Sequence, residues 1–199
     1  MLSLSAQTQA QAQQVVWVVA YGPFAVLNEQ TAALIGSTDW RSPALFRAMM
    51  RDHPHVAMLV FYECPGTRDD ASNLELGRLI RAARLDAYVP QGASVRSGAV
   101  DLLIAARRRQ IDDGARFAVH AWRDRRGREA TDFAAGSPVH RKYLSYYTDM
   151  GMSSRQAAAF YAMTNSAPNR SARLVTASEM RAWIAPETNP PRVAYRAGF

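Results

Sequence analysis

The chain of 199 residues has few of the side chains that carry metal and redox chemistry: one cysteine, Cys64, and four histidines. A lone cysteine forms no internal disulfide and builds no cysteine cluster for a metal. His53, His55, His120 and His140 show no HExxH pattern, and only His53 and His55 lie close together, in a polar DHPH turn that reads as surface. No metal site and no cofactor is expected. Lysine is nearly missing too. Lys142 stands alone among 24 basic side chains, so arginine carries the net charge of +7. That charge suits acidic surfaces, but the arginines are scattered and no zinc-finger, RNP or helix-turn-helix pattern accompanies them. No nucleic-acid partner is expected. No apolar run approaches the ~20 residues of a membrane helix, so no membrane span is expected either.

What is present is an ordinary globular composition, 48% hydrophobic and 21% charged, at a length that suits one domain. Residues 1–14, MLSLSAQTQAQAQQ, are uncharged and rich in Gln and Ala. They read as a disordered tail or, because LSLSA is followed by AQA, as the remnant of an export signal. The compartment follows that choice: cytoplasmic for a tail, periplasmic for a remnant. A domain is expected over 15–185, and the proline-rich segment 186–199 reads as an extended arm.

Within the domain, VVWVVAY (Val15 to Tyr21) is a β-branched, aromatic run that predicts a strand. Ser42 and Pro43 open a helix with Leu45, Phe46, Met49 and Met50 on one face. His55 to Glu63 is nearly continuous apolar sequence, as in a parallel strand covered on both sides. A CPGTRDDASN turn follows, in which Asp69, Asp70 and Asn73 suit helix capping; then come a helix through NLELGRLIRAARL and a strand from Asp86 to Pro90. Cys64 reads as a small buried residue. Strand and helix thus alternate, the pattern of a layered α/β fold with parallel strands. Beyond His120, WRDRRGREATDFAAGSP is a polar loop. Two helices follow, the first capped by Ser137 with Pro138 at its start, and both rich in aromatics (Tyr143, Tyr146, Tyr147, Phe160, Tyr161). Those rings suit packing on a core or on a neighbouring subunit. A short strand, ARLVT, and a helix, ASEMRAWI, close the domain.

The chain is organised around SVRSGAVDLLIAARRRQIDDGARFAVH, from Ser94 to His120. Ser97 opens an apolar helix, and the DDG turn at Asp112 to Gly114 folds a strand back to end on His120. A serine at a helix start has a simple role as a cap. It also lies where free backbone N–H groups can stabilise a developing oxyanion, and His120 is placed to act as its base. Gly66, in a turn after another strand, stands where ligands collect in open α/β sheets.

These residues resemble the proteolytic subunit of Clp protease and the wider Clp/crotonase superfamily. CPGT (Cys64 to Thr67) is similar to the family's SPGG-type turn. SGAVDLLIAA (Ser97 to Ala106) is similar to its serine helix, RFAVHAW (Arg116 to Trp122) to its histidine strand, and TASEM to its SAPEA. The resemblance implies a layered fold of repeated β-β-α units with a C-terminal helical region. It implies Ser97 as nucleophile, His120 as base, and an oxyanion hole from the backbone of Gly98 and Thr67 beside Gly66, Thr67 standing where the family has glycine. The family's aspartate matches Ala172, so the third member is replaced or displaced. Asn169 is the first substitute and Ser171 the second, with Asp124 and Asp149 further off. A Ser-Lys dyad would need Lys142, in a different element. The function implied is a serine peptidase-like hydrolase acting on a peptide or other acyl substrate. The alternative is a catalytically silent protein that binds a peptide or partner in the same cleft; an acyl-CoA enzyme of the crotonase kind comes third. Assembly into trimers, hexamers or stacked rings, a homo-oligomer, is implied as well, with the helices around Tyr143 to Tyr161 as the interface.

Overall fold

The computed structural model describes residues 19–184. Residues 15–18 of the first expected strand, the 1–14 tail and the 186–199 arm lie outside the described residues. The fold opens with an antiparallel meander of β1 (Val19–Tyr21), β2 (Phe24–Asn28) and β3 (Thr31–Leu34). Helix α1 (Ser42–Asp52) follows, with a proline in its first turn. Ser42 is its first residue rather than its cap, and the Ser42 hydroxyl accepts the Asp39 N–H at 2.9 Å.

The apolar run from His55 to Glu63 is two strands, not one. β4 (Met58–Phe61) and β5 (Glu63–Cys64) flank Tyr62 and belong to different sheets. The same split recurs in β6 (Asp86–Val89) and β7 (Ser94–Arg96), and in β8 (Arg109–Ile111) and β9 (Arg116–Val119). In each pair the first strand joins a six-stranded sheet ordered β1-β2-β3-β4-β6-β8, and the second joins β10 (Arg173–Thr176) in a four-stranded sheet ordered β10-β9-β7-β5. Helices α2 (Asp70–Ala82) and α3 (Gly98–Ala105) follow the first two pairs. This is the expected β-β-α repeat. β3, β4, β6 and β8 are parallel, as are β5, β7 and β9, while β10 runs antiparallel to β9.

The core lies between these layers. Leu59, Val60 and Phe61 of β4 are buried, which explains their unbroken apolar run. α3 buries Ala99, Val100, Leu102, Leu103, Ile104 and Ala105, so almost the whole helix is interior. Its one charged residue is Asp101. α4 (Pro138–Asp149), with Ser137 at its N-cap, and α5 (Ser154–Thr164) turn Tyr143, Tyr146, Tyr147 and Phe160 inward. Tyr147 meets Phe160 edge to face at 5.1 Å between centroids. These rings pack on the chain's own core. α6 (Ala177–Trp183) closes the described chain, its N-terminus fixed by a Thr176–Glu179 capping box.

Candidate functional site

Ser97 is the hinge between β7 and α3, and it sits at φ 50°, ψ −129°. A non-glycine residue held there costs on the order of 1–3 kcal/mol and persists only where its surroundings enforce it. They do: its N–H donates to Ala118 O at 2.8 Å, and its carbonyl accepts the Val100 N–H at 2.9 Å. At the helix N-cap position its side chain makes no capping hydrogen bond. The structural role open to a helix-opening serine is therefore unused, and the hydroxyl is left for other work.

Gly66 explains how the CPGT turn reaches this serine. It has φ 124°, and a Cβ added to it would stand 2.9 Å from Ser97 Cβ. Only glycine permits that approach. Gly98 is equally close to its neighbour: a Cβ there would meet Thr67 Cγ2 at 2.6 Å. The turn is braced by Thr38, whose N–H donates to Gly66 O at 3.0 Å and whose carbonyl accepts the Arg68 N–H at 2.9 Å. Asn73, expected as a capping residue, does something else. It is buried, its Nδ2 donates to Gly98 O at 2.8 Å, and its Oδ1 accepts from Thr38 Oγ1 at 2.9 Å. One side chain thus ties α2, the start of α3 and the Thr38 strand-like bridge together. Asp69 is the cap, accepting the Ser72 N–H at 2.8 Å, which holds its carboxyl below the usual range.

His120 is the first residue beyond β9. Its Nδ1 lies 2.9 Å from Ala121 O and 3.1 Å from Asn169 Nδ2. Asn169 Nδ2 also donates to Ala121 O at 2.9 Å, and the Asn169 N–H donates to Glu129 Oε1 at 3.0 Å. Asn169 and Ala121 O therefore share one edge of the ring. Ser171, the second substitute, points away, donating to Pro168 O at 3.3 Å. Asp124 is engaged by Arg128 and Asp149 by Arg78, so neither is bound to the ring. Cys64 is buried, donates to Leu34 O at 3.2 Å, and has its thiol pushed up to about 12 by burial, which leaves it inert as a nucleophile.

Ser97, Gly98, Thr67, His120 and Asn169 line one cavity of about 380 Å³. No hydrogen bond joins Ser97 Oγ to the His120 ring among the described residues, as is common before a substrate draws such a pair together. Gly66 stands behind Ser97 rather than on the cavity wall. Apart from Asp124, weighed as a distant third member, and Lys142, weighed for a dyad, sequence reasoning did not assign the rest of the lining to the site. The polar loop after His120 contributes Trp122, Arg123, Asp124 and Arg125, and α4 contributes Tyr143 and Tyr147. Lys142, set aside as a dyad member because it lies in a different element, lines the same cavity, with its Nζ over the rings of Tyr143 at 4.8 Å and Trp122 at 5.6 Å. Asp101 also faces in, one turn along α3 from Ser97. Burial pushes its carboxyl up to about 7, against a lowering hydrogen bond from Tyr147, with the nearby Asp70 adding to the rise. A single acid inside the apolar run GAVDLLIAA was the one signal for it in the sequence. Among the described residues no group of three or more His, Cys, Asp or Glu side chains could hold a metal.

No protein-family model matches the chain, and no curated protein sequence matches it. Solved structures do. The membrane-bound stomatin-specific protease 1510-N, as a mutant, is similar with a TM-score of 0.53 at 13% identity, over 79% of this chain and 77% of that one. The membrane protease specific for a stomatin homologue from Pyrococcus horikoshii is similar with a TM-score of 0.50 at 13% identity, over 79% and 71%. A mutant of ClpP1 from Listeria monocytogenes is similar with a TM-score of 0.51 at 12% identity, over 78% and 87%. Identities this low speak to architecture alone. On the strand order, the β-β-α repeat and these likenesses, the chain has a ClpP-like fold.

Proposed function

We propose that the chain is a serine hydrolase of the peptidase kind that works without metal or cofactor. The observation that carries this reading is Ser97: a strained, uncapped serine that shares a cavity with His120. In the proposed reaction Ser97 Oγ attacks the carbonyl of a peptide or other acyl substrate while His120 Nε2 takes its proton. The resulting oxyanion is met by backbone N–H groups of Gly98 and Thr67, with Gly66 letting the turn approach. The N-terminus of α3 adds its partial positive charge at the same point. The tetrahedral adduct collapses, the leaving amine takes the proton from His120, and an acyl ester remains on Ser97. Water then attacks that ester by the same route and frees the acid.

The familiar carboxylate behind the histidine is replaced here by a backbone oxygen. With its proton on Nδ1, His120 donates to Ala121 O, which leaves Nε2 unprotonated as a base requires. Asn169 is a positioning residue that holds Ala121 O in place. The same geometry supports one competing reading. If Asn169 Nδ2 donates to Nδ1 instead, the proton sits on Nε2 and the site binds acyl chains or peptides without cleaving them. Turnover of blocked fluorogenic peptides and of a simple ester decides between them. Ser97→Ala is expected to remove activity to background, a loss of at least about 10³-fold on the scale of triad knockouts. Activity untouched by that change would overturn the assignment.

A further inference from the structure

Among the described residues no carboxylate bonds to the His120 ring, whose Nδ1 faces Ala121 O and Asn169 Nδ2. One carboxylate does reach the residue behind the ring. The Asn169 N–H donates to Glu129 Oε1 at 3.0 Å, across 40 residues of chain. Glu129 is the only glutamate of the loop WRDRRGREATDFAAGS, which also carries Arg123, Arg125, Arg126 and Arg128. Among the described residues it forms no ion pair with any of them, although Asp124 pairs with Arg128. Its carboxylate goes to a backbone N–H instead. A hydrogen bond of that kind is charge-assisted and about twice as strong as a neutral one.

Glu129 is itself firmly held. Its N–H donates to Asp132 Oδ2 at 2.7 Å, and its carbonyl accepts the Asp132 N–H at 3.0 Å. It pairs with Arg123 in an antiparallel bridge, which closes a hairpin. Inside that hairpin Asp124 Oδ1 accepts the N–H groups of Arg126 at 2.8 Å and Arg128 at 2.9 Å. The loop is also pinned to α4 and α5. Trp122 Nε1 donates to Tyr161 OH at 2.7 Å, which leaves the Tyr161 hydrogen for His140 Nδ1 at 2.9 Å. His140 Nε2 then turns its proton toward Phe133 O at 3.4 Å. A network satisfied in this way is stiff, and it presents Glu129 as a fixed point.

The segment that Glu129 grips is the connection from α5 to β10, residues 165–172. It meets the end of β9 through two bonds. Ala121 N–H donates to Ala167 O at 2.7 Å, and Asn169 Nδ2 donates to Ala121 O at 2.9 Å. Asn169 therefore has its side chain on the histidine's neighbour and its backbone on Glu129. We propose that Glu129 is a positioning residue of the Ser97–His120 site: it anchors the Asn169 backbone, so that the Asn169 amide keeps Ala121 O and the His120 ring in one orientation. The inference rests on the reading of His120 as the base, and it names what steadies that base where a carboxylate is missing. Glu129 acts through geometry at two removes, so a neutral oxygen in the same place retains most of the effect.

The ring reports this role without any turnover. In protein labelled with nitrogen-15 at histidine, the ring-nitrogen shifts at pH 8 tell which nitrogen carries the proton, and His120→Gln assigns the signals. The wild type is expected to show one tautomer at His120. Glu129→Ala and Glu129→Met, neither of which offers an oxygen to Asn169, are expected to show a mixture of both. Glu129→Gln should restore the single form. Ester hydrolysis should follow the ring. We expect about a tenfold loss of kcat in the Ala and Met variants, below the 10²-fold of an ångström-scale misplacement. Most of it should return in Gln, and KM should change little, since Glu129 does not line the cavity. Circular dichroism checks the fold of each variant. A His120 signal identical in wild type, Ala and Met, or a Gln variant that behaves like Ala, would overturn the proposal. If the wild type cleaves nothing while Ala and Met still mix the tautomers, the hydrolase reading falls and the positioning role stands.

Discussion

The two sheets divide the work between them. In the six-stranded sheet β3 and β4 are buried almost throughout, and the sheet supplies none of the proposed nucleophile, base or turn residues. The four-stranded sheet is made of strands only two to four residues long, yet β5, β7 and β9 each end at the cleft. β5 leads into Gly66 and Thr67, β7 into Ser97, and β9 into His120. Because these three are parallel, their carboxyl ends meet at one edge. β10 runs the other way, so the approach to it brings Asn169 to the same edge. The proposed chemistry is thereby placed at the ends of the second strand of each β-β pair, which also bury Cys64, Val95, Phe117 and Val119 in the core. Changes at the smaller sheet's edge should damage activity far more than folding.

The sharpest way to break this contrast is Gly66→Ala. The added methyl would stand 2.9 Å from Ser97 Cβ at a backbone angle that side chains rarely adopt, so the turn or the serine must move. Misplacement on the ångström scale costs about 10²-fold in rate. We expect a loss of at least that size in esterase or peptidase activity with the far-ultraviolet circular dichroism spectrum retained; full activity would mean that the turn does not approach the serine. A second test concerns the acid behind the cleft. The carboxyl of Asp101 is raised by burial to about 7 in the folded chain, whereas an unfolded Asp titrates near 3.9. The folded state therefore holds the extra proton, and stability falls as pH rises from about 4 to about 7. Asp101→Asn should flatten that fall and raise stability at pH 8 by a few kcal/mol, with a ceiling of about 4 kcal/mol from the shift itself. Urea melts at pH 5 and pH 8 measure it, and an equal loss in both proteins would contradict the burial argument. The smallest effect is at Asn169. Asn169→Asp would bring a carboxylate to about 3 Å from His120 Nδ1 and favour the imidazolium, at the cost of the bond to Ala121 O. A gain of roughly tenfold in kcat is expected, with the acidic limb of the pH–rate profile moving up in pH, and a large loss would mean that the bond to Ala121 O matters more than the charge.

The parts of this site that were legible in the sequence are those written locally. Ser97 before an apolar helix, His120 at a strand end and the CPGT turn each announce themselves within a few residues. The β-β-α repeat was half visible. The break at Tyr62 was hidden because both halves of the run are apolar, and a change of sheet leaves no mark on hydropathy. The residues that escaped depend on contacts between distant elements. Asn73 looks like any asparagine in a first turn until the packing of α2 on α3 brings it to Gly98 O. The loop around Trp122 reads as surface because it is polar, yet Trp122 Nε1 donates to Tyr161 OH at 2.7 Å and thereby pins the loop beside the cavity. The tyrosines of α4 showed their helical spacing but not that Tyr143 would meet Asp70, or Tyr146 and Tyr147 the carbonyl and carboxyl of Asp101. Lys142 was set aside because of its element, although chain position says little about which cavity a side chain borders.

The central claim is that Ser97 is an activated nucleophile. Incubation with a fluorophosphonate probe, followed by mass spectrometry of the digested protein, tests it without any need to know the substrate. We predict a stoichiometric adduct on Ser97, absent from Ser97→Ala and formed at least 10²-fold more slowly in His120→Ala, the scale of a lost general base. An unmodified Ser97, or labelling whose rate is indifferent to His120, would contradict the account.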